Sequence, residues 1–366
     1  MTEKADFIII GGGIAGMGAA ARLAPSAKVI LLEMEDAPGR HSTGRSAAIF
    51  IRNYGNRTLR ALNAASEPVL KEPEGISEES LLTPRGELLI ATEDELSNFD
   101  SYLDGAEGME RISAEDAVTL FPLLRPEPIA AAAIERDAQD IDVDRLLQGF
   151  VRIARRNGAK IVTDAPVSAL TRSGTAWTAE TPAGTFEAPV VINAAGAWAD
   201  AVAGLVGVAK VGLVPMRRSA AILPVPDGLD VTRWPLVASA SEAWYAKPDA
   251  GKLMVSPADE DPVEPHDAWP DDMVLAEGLY RFEQAVTMPV TRVERSWAGL
   301  RNFVADRTPV VGFAQGTEGF FWLAGQGGYG VQTAPALSQL TADLCLGRAS
   351  PLDRDVIKAL DPNRFA

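Results

Sequence analysis

The chain has 366 residues, 47% of them hydrophobic, enough for about two domains with a sizeable buried core, which excludes a mainly disordered protein. Its formal net charge of −16, from 50 acidic and 34 basic side chains, argues against a nucleic-acid backbone or an anionic membrane surface as a partner. A single cysteine, Cys345, and two histidines, His41 and His266, exclude an intrachain disulfide and a multi-Cys or His-rich metal centre, so no metal is expected and a reducing compartment with an organic cofactor fits better.

Taken in order, Asp6 to Ile10 reads as a strand, Gly11 to Gly13 as a tight turn, Ile14 to about Leu23 as a helix and Lys28 to Glu33 as a second strand. Two strands joined by a helix are parallel, with a right-handed crossover. The run Phe7 to Ala21 is uncharged for 15 residues after Lys4 and superficially resembles a signal-peptide core. Glycines at this density weaken such a helix and suit a strand-to-helix turn instead. No other run approaches the roughly 20 apolar residues of a bilayer span. The expectation is a soluble, cytoplasmic protein with no transmembrane segment.

A helical pattern follows from about Asn56 to Val69. Residues 71–144 then hold 20 acidic against 5 basic side chains, nearly the whole charge excess of the chain, and within them Gly86 to Ile90 suits a strand. Such an acidic field would either concentrate a cationic substrate or simply keep the surface solvated. Asp142 to Asn157 has helical spacing in Leu146, Leu147, Phe150, Val151 and Ile153, and Lys160 to Thr163 reads as a further parallel strand. Ala176 to Glu180 and Thr185 to Ala188 form a hairpin about Pro182-Ala183-Gly184, and Pro189 to Asn193 is a buried strand ending in the small residues Ala194 to Gly196. Residues 206–297 are strand-rich. Gly319 to Leu323 is a strand, Ala324 to Gly330 a glycine turn, and Val331 to about Cys345 a helix. The fold class is α/β: a Rossmann-like dinucleotide-binding domain from residues 1–77, 141–205 and 298–366, with an interleaved mixed α+β substrate-binding domain from 78–140 and 206–297.

Gly11-x-Gly13-x-x-Gly16 lies between strand and helix, and Glu33 ends the next strand 20 residues after Gly13. Gly11 makes the turn, Gly13 lets backbone N–H groups approach a pyrophosphate, Gly16 allows helix and sheet to pack closely, and Glu33 accepts hydrogen bonds from a ribose diol. This motif alone leaves NAD and FAD both open. Pro38 to Ala48 follows with small and hydroxyl residues suited either to a phosphate-ribityl chain or to an ordinary polar loop. Gly325-Gln326-Gly327-Gly328-Tyr329-Gly330 opens the last long helix, where backbone amides and the helix dipole would stabilise developing negative charge.

These segments, with Val190 to Asp200 and Trp297-Ala298-Gly299-Leu300-Arg301, together resemble the D-amino-acid-oxidase or glycine-oxidase-like superfamily of FAD enzymes, over essentially the whole chain and in order. Among them the chain is most similar to the D-arginine dehydrogenases. The resemblance implies FAD held without a covalent bond. It would be held by Gly11, Gly13, Ile14, Ala15 and Gly16, by Glu33 and Met34, and by Ser42, Thr43, Gly44, Arg45, Ser46, Ala47 and Ala48. Val167 would lie at the adenine, with Ala195 and Gly196 beyond it, and Gly325, Gly327, Gly328, Tyr329, Gly330, Val331 and Gln332 at the flavin end. The substrate site would contain Arg301 as the carboxylate grip, Arg218 as a second arginine, Tyr54 and Tyr245 as lining, Gly328 and Tyr329 at the turn, and Glu87 as receptor of a cationic side chain. An arginine suits the first role independently, because its planar fork binds a carboxylate bidentately. Against the resemblance, Ile49 stands where a histidine is expected, Arg52 adds a charge nearby, and Asn302 replaces a proline after the carboxylate arginine.

The implied activity is oxidation of the CH–NH bond of an amino acid, a D-amino acid and cationic ones such as D-arginine among them. Hydride would pass to flavin N5, and the resulting imine would hydrolyse to a 2-oxo acid and ammonia. The alternatives are a secondary amine (N-methylglycine or D-proline type) or a 2-hydroxy acid, and after these a non-catalytic flavoprotein subunit. The electron acceptor is open between oxygen and a quinone or electron-transfer chain. Cys345, in a helix, is not expected to tether the flavin, and a loop residue such as His41 more often hydrogen-bonds than tethers.

Overall fold

The computed structural model describes residues 2–365, and four sheets form among them. The first is a six-stranded layer in the order Lys160–Val162, Val29–Leu32, Phe7–Ile10, Val190–Asn193, Phe320–Ala324 and Val310–Phe313. Its strands are parallel except for the last pair, which is antiparallel. Phe7–Ile10 and Val29–Leu32 are buried at every position, as strands covered on both faces must be. The helix Ile14–Leu23 packs beside the helices Val143–Arg156 and Gly330–Cys345 on this layer. The four N-terminal elements, the capped helix Arg57–Lys71 and the 176–188 hairpin fall within two residues of their expected limits.

A nine-stranded mixed sheet forms the second layer, built from strands between Glu87 and Phe303. In it Arg295–Phe303 pairs antiparallel with Val214–Leu223 along its full length, and Tyr245–Asp249 pairs with Lys252–Ser256. The strand-rich reading of residues 206–297 overlooks one element, the helix Asp272–Ala285. Its buried face (Leu275, Leu279, Phe282) has helical spacing, and Asp271 caps its N-terminus. The helices Leu96–Leu103 and Ala114–Leu120 likewise lie inside the acidic stretch.

The two layers meet along the 42–54 segment. Its short strand Ile49–Phe50 pairs with Gln139–Ile141, and Leu82–Pro84 pairs with Gln139–Ile141 on the other side. No helix among the described residues is long and apolar enough to cross a membrane.

Candidate active site

A deep cleft opens at the C-terminal ends of the parallel strands and continues onto the face of the nine-stranded sheet, the position at which open α/β sheets bind ligands. At its inner end the glycine turn is held shut by backbone. Gly11 has φ +107°, and a Cβ there would stand 2.4 Å from the Ala194 carbonyl oxygen, while a Cβ at Gly16 would stand 1.9 Å from the Gly11 carbonyl oxygen. The Ile14 N–H donates to Thr43 Oγ1 at 3.0 Å, which ties the 42–48 segment over the helix N-terminus. Glu33 is buried and accepts from the N–H groups of Gly12 (2.5 Å) and Glu35 (2.9 Å). Burial pushes its carboxyl up from the usual range, with the two N–H donors opposing.

Gly13, Ile14, Ala15 and Met34 line this end, as do Ser42, Thr43 and Arg45 to Ala48, Val167, and Ala195 with Gly196. Gly327, Gly328, Gly330, Val331 and Gln332 line the opposite wall. His41 is also in the wall, its Nε2 2.8 Å from Glu35 Oε1 and its ring packed 4.8 Å from Trp198. Cys345 closes the helix Gly330–Cys345 outside the cleft, and burial pushes its thiol up to about 12.

At the sheet end stand Arg301, Arg218, Tyr54 and Tyr245. Tyr54 is placed by Asn63 of the helix Arg57–Lys71, whose buried amide Nδ2 donates to the carbonyls of Ile51, Arg52 and Tyr54 at 3.1–3.3 Å. Arg301 Nη1 donates to the Tyr54 hydroxyl at 3.1 Å, and among the described residues no carboxylate lies within ion-pair distance of Arg301. Arg218 differs: its Nη2 is 2.8 Å from Glu260 Oε1, and Glu260 also takes Arg307. A Cβ at Gly328 would stand 2.9 Å from Arg301 Cζ, so only glycine leaves the guanidinium this room. Tyr329 is buried behind Tyr54, their rings 4.7 Å apart.

Three buried polar atoms around the cleft, Arg218 Nε, Asn302 Oδ1 and Gln326 Nε2, have no partner in the protein. Leaving such a group unpaired costs about 1–3 kcal/mol, and neither Gly13 nor Tyr329, the residues that precede the two helices, caps its helix with a side chain. A long guest with phosphates at one end and polar ring edges at the other would satisfy these groups, so the residues present fit FAD. Asn302, Gln326, Gly12, Trp198 and Leu300 were not among the residues expected from sequence; alternation along Trp297 to Arg301 could have placed Gly299 and Trp297 on the Arg301 face.

Five expected residues do not face the cleft. Gly16 packs the helix onto Gly11, Gly44 bonds back to the Gly39 carbonyl at 2.8 Å and faces a second cleft, Gly325 rests against Val304 and Val310, and Tyr329 lies behind Tyr54. Glu87 is the largest correction. It lies in the strand Glu87–Ala91 as expected, but 4% exposed and outside the cleft lining, paired across the ladder with Glu135 and accepting the Tyr102 hydroxyl at 2.8 Å. Arg52 likewise turns from the cleft to Glu67, 2.6 Å away. Glu135 accepts from the Asn53 amide (2.6 Å) and the Arg52 N–H (2.8 Å).

Burial, then the neighbouring Glu135, pushes the Glu87 carboxyl up to about 8. Its folded value lies above its unfolded one, so its contribution to stability is complete below about pH 4.5 and is lost as pH rises through about 8. Glu87→Gln is therefore expected to remove a decline in melting temperature over that window, worth on the order of 2–4 kcal/mol at the alkaline end. Thermal melts from pH 5 to 9 measure it; the same decline in the variant would mean that Glu87 is already ionised.

A family model described as DAO, FAD dependent oxidoreductase, matches residues 6–344. A glycine oxidase of Bacillus licheniformis is 24% identical over 376 residues, covering 100% of this chain and 98% of that protein. The mitochondrial dimethylglycine dehydrogenase of Homo sapiens is 24% identical over 394 residues, covering 99% of this chain but 44% of that protein, so the chain spans under half of its length. Among solved structures, an L-proline dehydrogenase from P. horikoshii superposes with a TM-score of 0.85 at 23% identity, covering 100% of this chain and 98% of that one.

Proposed function

Because this chain belongs to the DAO family of FAD-dependent oxidoreductases, we propose that it oxidises the CH–NH bond of an amino acid whose free carboxylate is gripped by Arg301. The observation that carries this reading is the Arg301 guanidinium itself: at the cleft wall, bonded to one tyrosine hydroxyl and, among the described residues, with no carboxylate within ion-pair distance. A substrate carboxylate supplies the missing anion through two parallel N–H···O bonds. Arg218, paired through Nη2 with Glu260, offers its unpartnered Nε as a second donor to the same carboxylate. Tyr54 and Tyr245 close over the substrate and hold Cα still. FAD, held by the 11–16 turn, Glu33 and the 42–48 segment, would supply a hydride acceptor for the substrate Cα–H, and the product imine would hydrolyse in water to a 2-oxo acid and ammonia. No strong side-chain base is needed when the amine binds neutral. The cofactor unit of this proposal is built from residues 1–77, 141–205 and 298–366, with the strand Arg295–Phe303 straddling the cut.

Within this class the D-amino acids, cationic ones such as D-arginine included, are the first substrates proposed, on the resemblance stated above and on the surplus of 20 acidic over 5 basic side chains in residues 71–144. A second reading, a small secondary amine of the N-methylglycine or D-proline type, is favoured by the apolar Ile49 in the wall and by a Glu87 held neutral. Anaerobic bleaching of the flavin separates them. D-arginine and D-lysine are expected to bleach it faster than N-methylglycine, D-proline or a 2-hydroxy acid. Bleaching by the secondary amines alone selects the second reading, and bleaching only by a 2-hydroxy acid overturns both.

A further inference from the structure

Register places the two arginines of the sheet end. Where Val214–Leu223 pairs antiparallel with Arg295–Phe303, Met216 lies opposite Arg301 and Arg218 opposite Gly299. Cross-strand partners share a face, so Arg218 and Arg301 are diagonal neighbours on the face that floors the cleft. On its other edge Val214–Leu223 meets the short strand Asp261–Pro262, which sets Arg217 opposite Asp261. Successive side chains of a strand turn to opposite faces. Asp259 and Asp261 accordingly take Arg217, at 3.4 and 2.7 Å, while Glu260 takes Arg218 on the cleft face, at 2.8 Å.

Glu260 stands behind Arg218 and is not itself among the residues that line the cleft. Its Oε1 accepts from Arg218 Nη2 at 2.8 Å, and Arg307 lays both terminal nitrogens on the same carboxylate, at 2.8 and 3.0 Å. Arg307 reaches it from the turn after Phe303, its guanidinium 3.8 Å over the Phe303 ring. Burial disfavours the charged form of Glu260, but Arg307 and Arg218 outweigh it and hold the carboxyl below its usual range, so the group is an anion at neutral pH. Arg218 is buried, and with Nη2 committed to Glu260 its Nε is left without a partner. An anion that approaches this guanidinium from the cleft meets the Glu260 charge behind it, in a setting where salt and water screen little.

We infer that Glu260, acting through Arg218, limits the site to amino acids with a single carboxylate and keeps aminodicarboxylates out. The inference rests on the reading that Arg301 grips the substrate carboxylate, and adds to it the charge allowed on the rest of the substrate. A first carboxylate takes the Arg301 fork and the Arg218 Nε. A second one, carried on the substrate side chain, would have to compete with Glu260 for the Nη edge of Arg218 and would meet a like charge there. Without Glu260 that edge is free, and two arginines set diagonally on one face fit a dicarboxylate. Arg307 moderates the effect by drawing on the same carboxylate, so its removal leaves Glu260 to Arg218 alone.

The test uses oxidised, FAD-loaded enzyme with acetate and malonate as probes, at neutral pH and constant ionic strength. Their Kd values are read from the flavin difference spectrum, so the measurement does not depend on the identity of the substrate. Glu260→Gln is expected to tighten malonate relative to acetate by about tenfold, which corresponds to about 1.4 kcal/mol. Glu260→Asp, which keeps the charge, should hold that ratio within about threefold of the parent's. In an Arg218→Met background Glu260→Gln should leave the ratio unchanged, because the residue through which it acts is gone. Arg307→Met, which keeps an aliphatic chain over Phe303, should lower the ratio by about threefold, and it tests the inference even if Glu260→Gln fails to fold. A ratio that ignores Glu260→Gln, rises equally in the Arg218→Met background, or rises in Arg307→Met overturns the inference. Acetate binding should itself depend on Arg301. If the parent binds no acetate, or Arg301→Ala binds it as tightly as the parent, the carboxylate grip fails and this inference with it. If acetate needs Arg301 while the ratio ignores Glu260, the grip stands and only the role of Glu260 falls.

Discussion

Arg301→Ala is expected to lower kcat/KM for an amino-acid substrate about a thousandfold while leaving FAD bound in full. Two charge-assisted hydrogen bonds to a carboxylate, each worth about 1.5–3 kcal/mol, are lost together with the attraction that orients Cα. Because the grip acts before and during hydride transfer, both KM and kcat should move. Arg301→Lys keeps the charge but not the fork, and should recover only part of the loss. Steady-state kinetics with the flavin absorbance as the occupancy control measure the effect. A donor amine without a carboxylate should be nearly indifferent to the substitution. If the amino acid is equally indifferent, Arg301 does not hold the substrate.

Gly11→Ala is expected to yield protein that purifies without FAD and melts about 6 °C or more lower. The new Cβ would lie 2.4 Å from the Ala194 carbonyl oxygen at a φ of +107°, so neither side-chain motion nor a small backbone shift relieves it. Left-handed strain and overpacking add about 3 kcal/mol or more, and at this chain length each kcal/mol moves the melting point by about 2–4 °C. The clash is with the strand-end turn at Ala194, so the damage reaches the pairing of Phe7–Ile10 with Val190–Asn193 as well as the phosphate site. Differential scanning fluorimetry and the flavin-to-protein absorbance ratio report the two losses separately. A yellow variant with the parent melting point would show that the turn adapts, and that the contact is not what demands glycine.

What could be read in the sequence is what local rules encode. The strand, glycine turn, helix and acid of residues 7–33 follow from period, turn chemistry and propensity, and they appear at nearly the expected limits. Arg301 is found through the resemblance of the 297–301 segment, with a planar fork that suits a carboxylate. Glu87 shows the opposite case. Its surroundings are made by Tyr102, Glu135 and Asn53, each contributed by a different segment, so a local reading takes it for a solvated charge. Arg52 fails in the same way, since its partner Glu67 sits on a helix whose placement depends on tertiary packing. The helix Asp272–Ala285 was hidden by neighbouring strands, and its own spacing was the available signal. Asn302, Trp198 and Gln326 line the cleft beside expected residues, Arg301, Gly196 and Gly327, but which neighbouring side chains face it is decided by long-range assembly.

The Gly327 N–H donates to the Asn302 carbonyl at 2.9 Å, and the two residues form an isolated antiparallel bridge. The strand that carries the substrate grip is thus tied to the turn at the flavin end by main chain rather than by any side chain. Substitutions of pocket side chains other than Arg301, Tyr54 and Tyr245 therefore leave the relative placement of that strand and that turn to the main chain. Ile49 is such a position: it lines the pocket wall and takes no part in the main-chain tie. Selection can explore new substrates on this frame one side chain at a time, because the alignment on which turnover depends does not have to evolve again with each of them.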